Sequence, residues 1–254
     1  MERGQENTAP AQASSRDQRE IDAFSAIAQS WWDPTGPFAP LHHLNPSRVR
    51  ILANCAADHF HLDLKATRPF NGLSLLDIGC GGGLIAEPFS KLGFDVTGVD
   101  ASPQNIETAR AHAADGNLSI TYLEAAPEDS FLSSRTFDVV LALEVIEHVA
   151  DLDLFLSSVC SRVKPGGVLF LSTLNRTLRS LVLGKAVAEY VLGWVPPGTH
   201  TWSKFVKPSE IAKRIRTAGF AVTSLQGLEY ELATGEWRIS EDVSVNYILA
   251  ATRQ

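Results

Sequence analysis

Cysteine is scarce: the 254 residues contain three, Cys55, Cys80 and Cys160, far apart and without a C-x-x-C pair. That spacing excludes a disulfide framework or a thiolate metal site and points to a reducing, cytoplasmic compartment. Met1 to Arg19 is polar and lacks an apolar core, so no secretory signal is expected there, and its acidic residues speak against a mitochondrial transit peptide. No stretch reaches the roughly 18 uncharged apolar residues of a spanning helix. Basic residues are outnumbered, 22 against 29 acidic, a net of −7. Phosphate binding relies on basic patches, so nucleic acid is not an expected partner. With 44% hydrophobic and 20% charged residues, the chain can form a packed core, and its length suits one α/β domain.

Residues 1–17, rich in Ala, Ser, Gln and charge, read as a disordered tail, and 18–254 as the folded domain. Ile21, Phe24, Ile27, Ala28 and Trp31 recur at helical spacing over 18–32. A second helix is expected from Asn45 as N-cap, with Pro46 behind it, to about Phe60. From there strands and helices alternate: strands at 73–78, 94–99, 118–123, 137–143 and 168–172, with helices at 84–92, 102–114 and 152–163, the last closed by Lys164-Pro165-Gly166-Gly167. Strands separated by single helices imply a parallel sheet with right-handed crossovers. After a helix over 208–218, strands at 220–225 and 243–250 are expected as an antiparallel hairpin on the sheet edge. The expected fold is α/β and Rossmann-like, a seven-stranded, mostly parallel sheet.

The first strand runs into Asp77-Ile-Gly79-Cys-Gly81-Gly-Gly83. Glycines between a strand and a helix let backbone and ligand approach closely. A dinucleotide fingerprint, G-x-G-x-x-G, fails here, because its last position is Leu84. Asp77 at the strand end suits a cationic ligand better than a diphosphate, and S-adenosylmethionine carries an ammonium and a sulfonium. Asp100 ends the second strand and can accept the ribose hydroxyls. Asp77, Gly79, Gly81 and Asp100 are therefore the candidate cofactor residues.

The chain resembles the ubiquinone-biosynthesis O-methyltransferases from about Phe24 to its end. The resemblance rests on Phe24-x-x-Ile27-Ala28-x-x-Trp31-Trp32-Asp33, Pro40-Leu41-His42, Leu44-Asn45-Pro46-x-Arg48, Glu144-x-x-Glu147-His148-Val149, Ser172-Thr173-Leu174-Asn175-Arg176, Gly198-Thr199-His200 and Val245-Asn246-Tyr247. It implies a class I S-adenosylmethionine-dependent enzyme that methylates a phenolic hydroxyl of polyprenylated catechols and of demethylubiquinol. Carried over by position, Arg48, Gly79, Asp100 and Leu143 would touch the cofactor, Leu143 standing where methionine is frequent in the family. The resemblance also implies a bacterial cytoplasmic protein at the inner membrane, with other ubiquinone-biosynthesis proteins as partners.

Methyl transfer to a catechol needs the acceptor oxygen deprotonated, by a base or through a chelated cation. Glu144, Glu147 and His148 follow the fourth strand, and one helical turn would put all three on one side. Two carboxylates and an imidazole suit Mg²⁺ or Mn²⁺, and the resemblance implies a divalent cation. The same E-x-x-E-H-V run also serves structural or substrate-binding roles in methyltransferases without metal. His148, Glu144 and His200 are the candidate catalytic residues, and His42 is a further family-like histidine. Within an apolar insertion at about 176–200, residues 178–194 (LRSLVLGKAVAEYVLGW) read as a cover over the active site or as an interfacial helix. Arg176 and Arg179 would then meet anionic headgroups. Competing readings are a methyltransferase for another small phenol or acid, and a non-catalytic S-adenosylmethionine-binding scaffold.

Overall fold

The computed structural model describes residues 13–182, 202–231 and 236–254. His200 and most of the apolar insertion lie outside them. The expected tail is already held before residue 18. Ser15 is buried, its backbone N–H and hydroxyl donate to Glu128, and its carbonyl accepts from the Ala150 N–H. Asp17 caps helix α1 (Gln18–Ala26) by accepting from the Arg19 N–H. The helical pattern to Trp32 continues only as a 3₁₀ turn over Ala28–Ser30. Helix α2 (Ala39–Phe60) begins six residues before Asn45, and Pro46 lies inside it. Burial overrides the local signal here: Leu41 packs against the cluster of Ala28, Trp31, Phe38 and Leu84.

The core sheet has β1 (Ser74–Ile78), β2 (Asp95–Asp100), β3 (Thr121–Glu124), β4 (Phe137–Leu143) and β5 (Val163–Leu174), paired in parallel. Between them run α3 (Ala86–Lys91), α4 (Pro103–Asp115), capped by Ser102, and α5 (Leu152–Ser161), capped by Asp151. Lys164 to Gly167 does not end a helix: it is the irregular start of β5. A short helical turn α6 (Leu178–Ser180) precedes helix α7 (Pro208–Thr217), which Gly219 follows at φ 85°.

The C-terminal strands differ from a simple edge hairpin. β6 (Phe220–Glu231) and β7 (Glu236–Ser240) form the hairpin, and β8 (Asn246–Arg253) inserts between β5 and β6, antiparallel to both. The sheet therefore has eight strands, in the order β3-β2-β1-β4-β5-β8-β6-β7. The middle of β8, Tyr247 to Ala251, is apolar because it is covered on both sides, whereas the second half of β6 leaves the shared sheet to pair with β7.

Period-two alternation divides the core. Leu75, Val139 and Leu141 face Leu52, Phe89 and Ile106 on one side. Leu76, Ile78 and Val140 face Phe155, Val159 and Ile211 on the other. Both faces of β1 and β4 are covered, so their carboxyl ends are held rigidly at the mouth of the sheet.

Gly83 combines φ 90° with a position where a Cβ would come within 2.4 Å of the Tyr122 hydroxyl, whereas Gly166 has φ 73° and open space around it. Gly166→Ala is expected to cost only backbone strain, about 1 kcal/mol. Gly83→Ala adds overpacking and is expected to cost about 2–5 kcal/mol. Chemical denaturation of the two variants checks the order, which a larger loss for Gly166→Ala would reverse.

Candidate active site

A cavity of about 820 Å³ opens beyond the carboxyl ends of β1, β2, β4 and β5, closed from above by α1 and α2. This is where an open α/β sheet binds ligands. Asp77, Gly79, Asp100, Arg48, Leu143, Glu144, Glu147 and His148 all line it.

The glycine turn has two tasks. Gly79, Gly81 and Gly83 take positive φ, and the Gly79 and Cys80 N–H groups donate to the Val99 carbonyl. A Cβ on Gly81 or Gly82 would fall 2.3 or 2.4 Å from Trp31. The glycines thus admit not only a ligand but the indole of the N-terminal segment. Trp31 stacks on Phe38 at 3.7 Å and donates to Asn105 Oδ1, and Trp32 donates to the Gly82 carbonyl. His42 Nε2 lies 2.9 Å from the Trp31 carbonyl, which gives it a structural role.

Asp100 Oδ2 accepts from the Gly81 N–H at 2.9 Å, and Oδ1 accepts from the Ser102 N–H and Asn105 Nδ2. Of about four lone-pair positions on a carboxylate, one remains for a ribose hydroxyl. Asp77 is the reverse case. It is buried, and its Oδ2 has no hydrogen-bond partner. Burial, and then the nearby Asp100, push its carboxyl up to about 7, against the pull of Arg48. An orphaned carboxylate facing a cavity fits a cationic ligand group such as an ammonium.

Arg48 is buried on α2. It donates through Nη1 to Asn45 Oδ1 and through Nη2 to Glu144 Oε1 at 2.9 Å, and its Nε has no partner. Glu144 has φ 54°, and its Oε1 also accepts from the Ser172 hydroxyl. Glu147 Oε2 accepts from Thr173 Oγ1. Burial, then Glu144, push its carboxyl up to about 7. His148 Nδ1 pairs with Glu20 Oε2 at 3.0 Å, and Phe24 meets the ring edge-on. Burial opposes charging of His148, but the hydrogen bond to Glu20 and the charges of Glu147, Glu20 and Glu144 raise its pKa. Glu20 is held down to about 2, first by His148 and then by Lys204, whose Nζ lies 2.9 Å away.

The three residues expected to hold a divalent cation do not form one donor set. Residues 146–148 form a 3₁₀ turn rather than an α-helical one, and Glu144 turns through the left-handed region just before it. The side chains diverge to Arg48, Thr173 and Glu20, and among the described residues no group of three His, Cys, Asp or Glu is placed to hold a metal. Sequence reasoning missed Glu20, Asn105, Ser172 and Thr173 as partners. Only the STLNR run carried a signal, since it supplies the last two.

With its carboxyl pushed up to about 7, Asp77 is expected to make cofactor binding pH-dependent. An ammonium favours the ionised carboxylate, so below about 7 binding must first release its proton. Affinity for S-adenosylhomocysteine is expected to rise toward pH 7, by up to about tenfold per pH unit, and to level off above it. Calorimetry across pH 5.5–8.5 checks this, and Asp77→Asn is expected to flatten the profile and weaken binding.

A family model described as a methyltransferase domain matches residues 50–225. The ubiquinone biosynthesis O-methyltransferase of Caulobacter vibrioides is 49% identical, over 93% of this chain and 94% of that protein. That of Parvibaculum lavamentivorans is 47% identical, over 96% of each. In structure, the magnesium protoporphyrin IX methyltransferase of Synechocystis with bound S-adenosylhomocysteine aligns at TM-score 0.63 and 20% identity, over 94% of this chain and 98% of that one. An S-adenosylmethionine-dependent methyltransferase from Thermotoga maritima aligns at TM-score 0.63 and 16% identity, over 94% and 100%. These last two carry the fold. The sequence identity over nearly the full length of the two ubiquinone biosynthesis relatives shows that the chain belongs to the ubiquinone biosynthesis O-methyltransferase family.

Proposed function

We propose that this S-adenosylmethionine-dependent O-methyltransferase methylates a phenolic hydroxyl of polyprenylated catechols and of a demethylated ubiquinol. The single observation that carries the reading is one continuous cavity holding the cofactor groups Asp77 and Asp100 together with Glu144, Glu147 and His148. When bound, the cofactor supplies a methyl group activated at its sulfonium. Asp77 would receive the ammonium, Arg48 would meet the carboxylate end, and Asp100 would take a ribose hydroxyl. Leu143 offers apolar contact to the adenine side.

A phenolic oxygen, with a pKa of roughly 10, must lose its proton to become a strong nucleophile. His148 accepts that proton. Glu20 holds Nδ1 so that the other ring nitrogen is the basic one, and it stabilises the imidazolium that forms. Glu144, anchored by Arg48 and Ser172, and Glu147, anchored by Thr173, keep the field around the imidazole negative. Alignment of oxygen and methyl group supplies much of the rate. No step is assigned to a metal ion, since the donor set does not converge.

His148 acts in its neutral form, so the rate is expected to rise with pH through its raised pKa, above the ordinary value of 6.5. Glu20→Gln removes the group that most raises that pKa. The limb should move to lower pH, while kcat falls about 10- to 100-fold as the ring loses its orienting partner. A pH–rate profile of both proteins checks this, and an unmoved limb would assign the proton to another group.

Membrane contact is the reading proposed for 178–194. Leu178 and Val182, at the start of the segment, are 76% and 57% exposed, with Arg179 beside them. The contact proposed is a peripheral one; among the described residues no helix is long and apolar enough to cross a membrane. Co-sedimentation with anionic vesicles is expected for the full chain and not for a deletion of 178–194, and equal binding by both would refute it.

A further inference from the structure

The cavity reaches from the acids of β1 and β2 to the C-terminal strands of the sheet. The polar cofactor groups sit on β1, β2 and α2, while β6 and β7 stand four and five places from β1 in the sheet order. Yet Leu228 of β6 and Trp237 of β7 line the same cavity, as does Leu44 of α2. This is possible because the second half of β6 leaves β8 and pairs with β7 alone, so that the hairpin meets α2.

That wall is fixed at three points. The Asn246 side chain bonds both the N–H and the carbonyl of Leu228, at 2.8 and 3.0 Å. Ser47 donates to the Trp237 carbonyl at 2.7 Å, one residue before Arg48. At Gly227 a Cβ would come within 2.0 Å of the Asp242 carbonyl, so the strand lies against its neighbour without a side chain between. Leu44, Leu228 and Trp237 are apolar, with the Asn246 amide beside them held on the Leu228 backbone, and Trp237 packs partly buried against the core. A preformed apolar wall binds an apolar chain without first having to be ordered.

We infer that the compartment between α2 and the β6–β7 hairpin, walled by Leu44, Leu228 and Trp237, takes the first part of an apolar chain carried on the acceptor ring. Trp237 sets the preference for a chain-bearing over a bare acceptor. This rests on the methyltransferase reading, which places the ring beside Glu144 and His148. The hairpin wall then lies on the side of the ring away from Asp100. The polar groups fix the cofactor and the reacting oxygen, and the hairpin reads the substituent.

The test compares catechol with a geranyl-substituted catechol in protein saturated with S-adenosylhomocysteine, by calorimetry, with methyl transfer from S-adenosylmethionine measured in parallel. The wild type is expected to bind the geranyl compound more tightly. Trp237→Ala should shrink the ratio of the two dissociation constants about tenfold, within the range for lost apolar contacts in a pocket. Leu44→Phe, which narrows the compartment without emptying it, should lower the same ratio and decides the matter if Trp237→Ala does not fold. A ratio unchanged in Leu44→Phe, or in a folded Trp237→Ala, overturns the inference, because the chain then leaves by another route or the wall is merely structural. If the geranyl compound binds as expected but neither acceptor is methylated by the wild type, the compartment stands and the methyltransferase reading falls.

Discussion

Arg48 sits buried among the carboxylates of Asp77, Glu144 and Glu147, with one of them, Glu144, in direct contact at 2.9 Å. Three acids around one guanidinium leave an excess of negative charge in a dry place. Burial, then Glu144, push the Glu147 carboxyl up to about 7, and burial, then Asp100, do the same at Asp77. Breaking such an ion pair would strand a buried charge, at a cost of about 3–5 kcal/mol. Arg48 therefore ties α2 to the carboxyl end of β4, and with it the roof of the cavity to its floor. Asp77 is left as the acid without a hydrogen bond on one oxygen, which is what a cationic ligand requires.

The N-terminal segment is as much a part of the site as the sheet. Trp31 lies over Gly81 and Gly82, Trp32 bonds the Gly82 carbonyl, and Glu20 reaches His148. Ser15 and Asp17 anchor the start of α1 to Glu128 and Lys204. A loop that in many nucleotide-binding folds faces its ligand alone is here packed from behind by an indole. The indole over the glycine turn, the Glu20 contact to His148 and the α2 roof of the cavity all come from residues 15–48.

Much of the fold was legible because it depends on local pattern. The apolar runs at 73–78 and 137–143 are strands since only a strand buried on both faces needs that composition, and β4 matches its expected limits. Ser102-Pro103 opens α4 by a side-chain cap, a local matter. The errors came where tertiary contact overruled a local signal. Asn45-Pro46 looks like a helix start, but burial of Leu41 beside Trp31 and Phe38 carries α2 back to Ala39. The expected antiparallel pair of 220–225 with 243–250 is there as β6 and β8, but the sequence did not show β7 beyond it or that β8 lies against β5, where its apolar faces find cover.

By itself, then, the sequence determined the strand-turn-helix frame, the acids at Asp77 and Asp100, and the nature of the methyl donor, because spacing along one strand and turn sets those positions. It also listed the acids and the histidine after β4. Only the tertiary structure decided what they face. A left-handed Glu144 and a 3₁₀ turn send Glu144 to Arg48, Glu147 to Thr173 and His148 to Glu20, partners 96, 26 and 128 residues away along the chain. Contacts at such separations follow from packing of whole elements and carry no local signature. The same holds for the hairpin wall at Leu228 and Trp237, which meets Leu44 only because β8 is placed between β5 and β6.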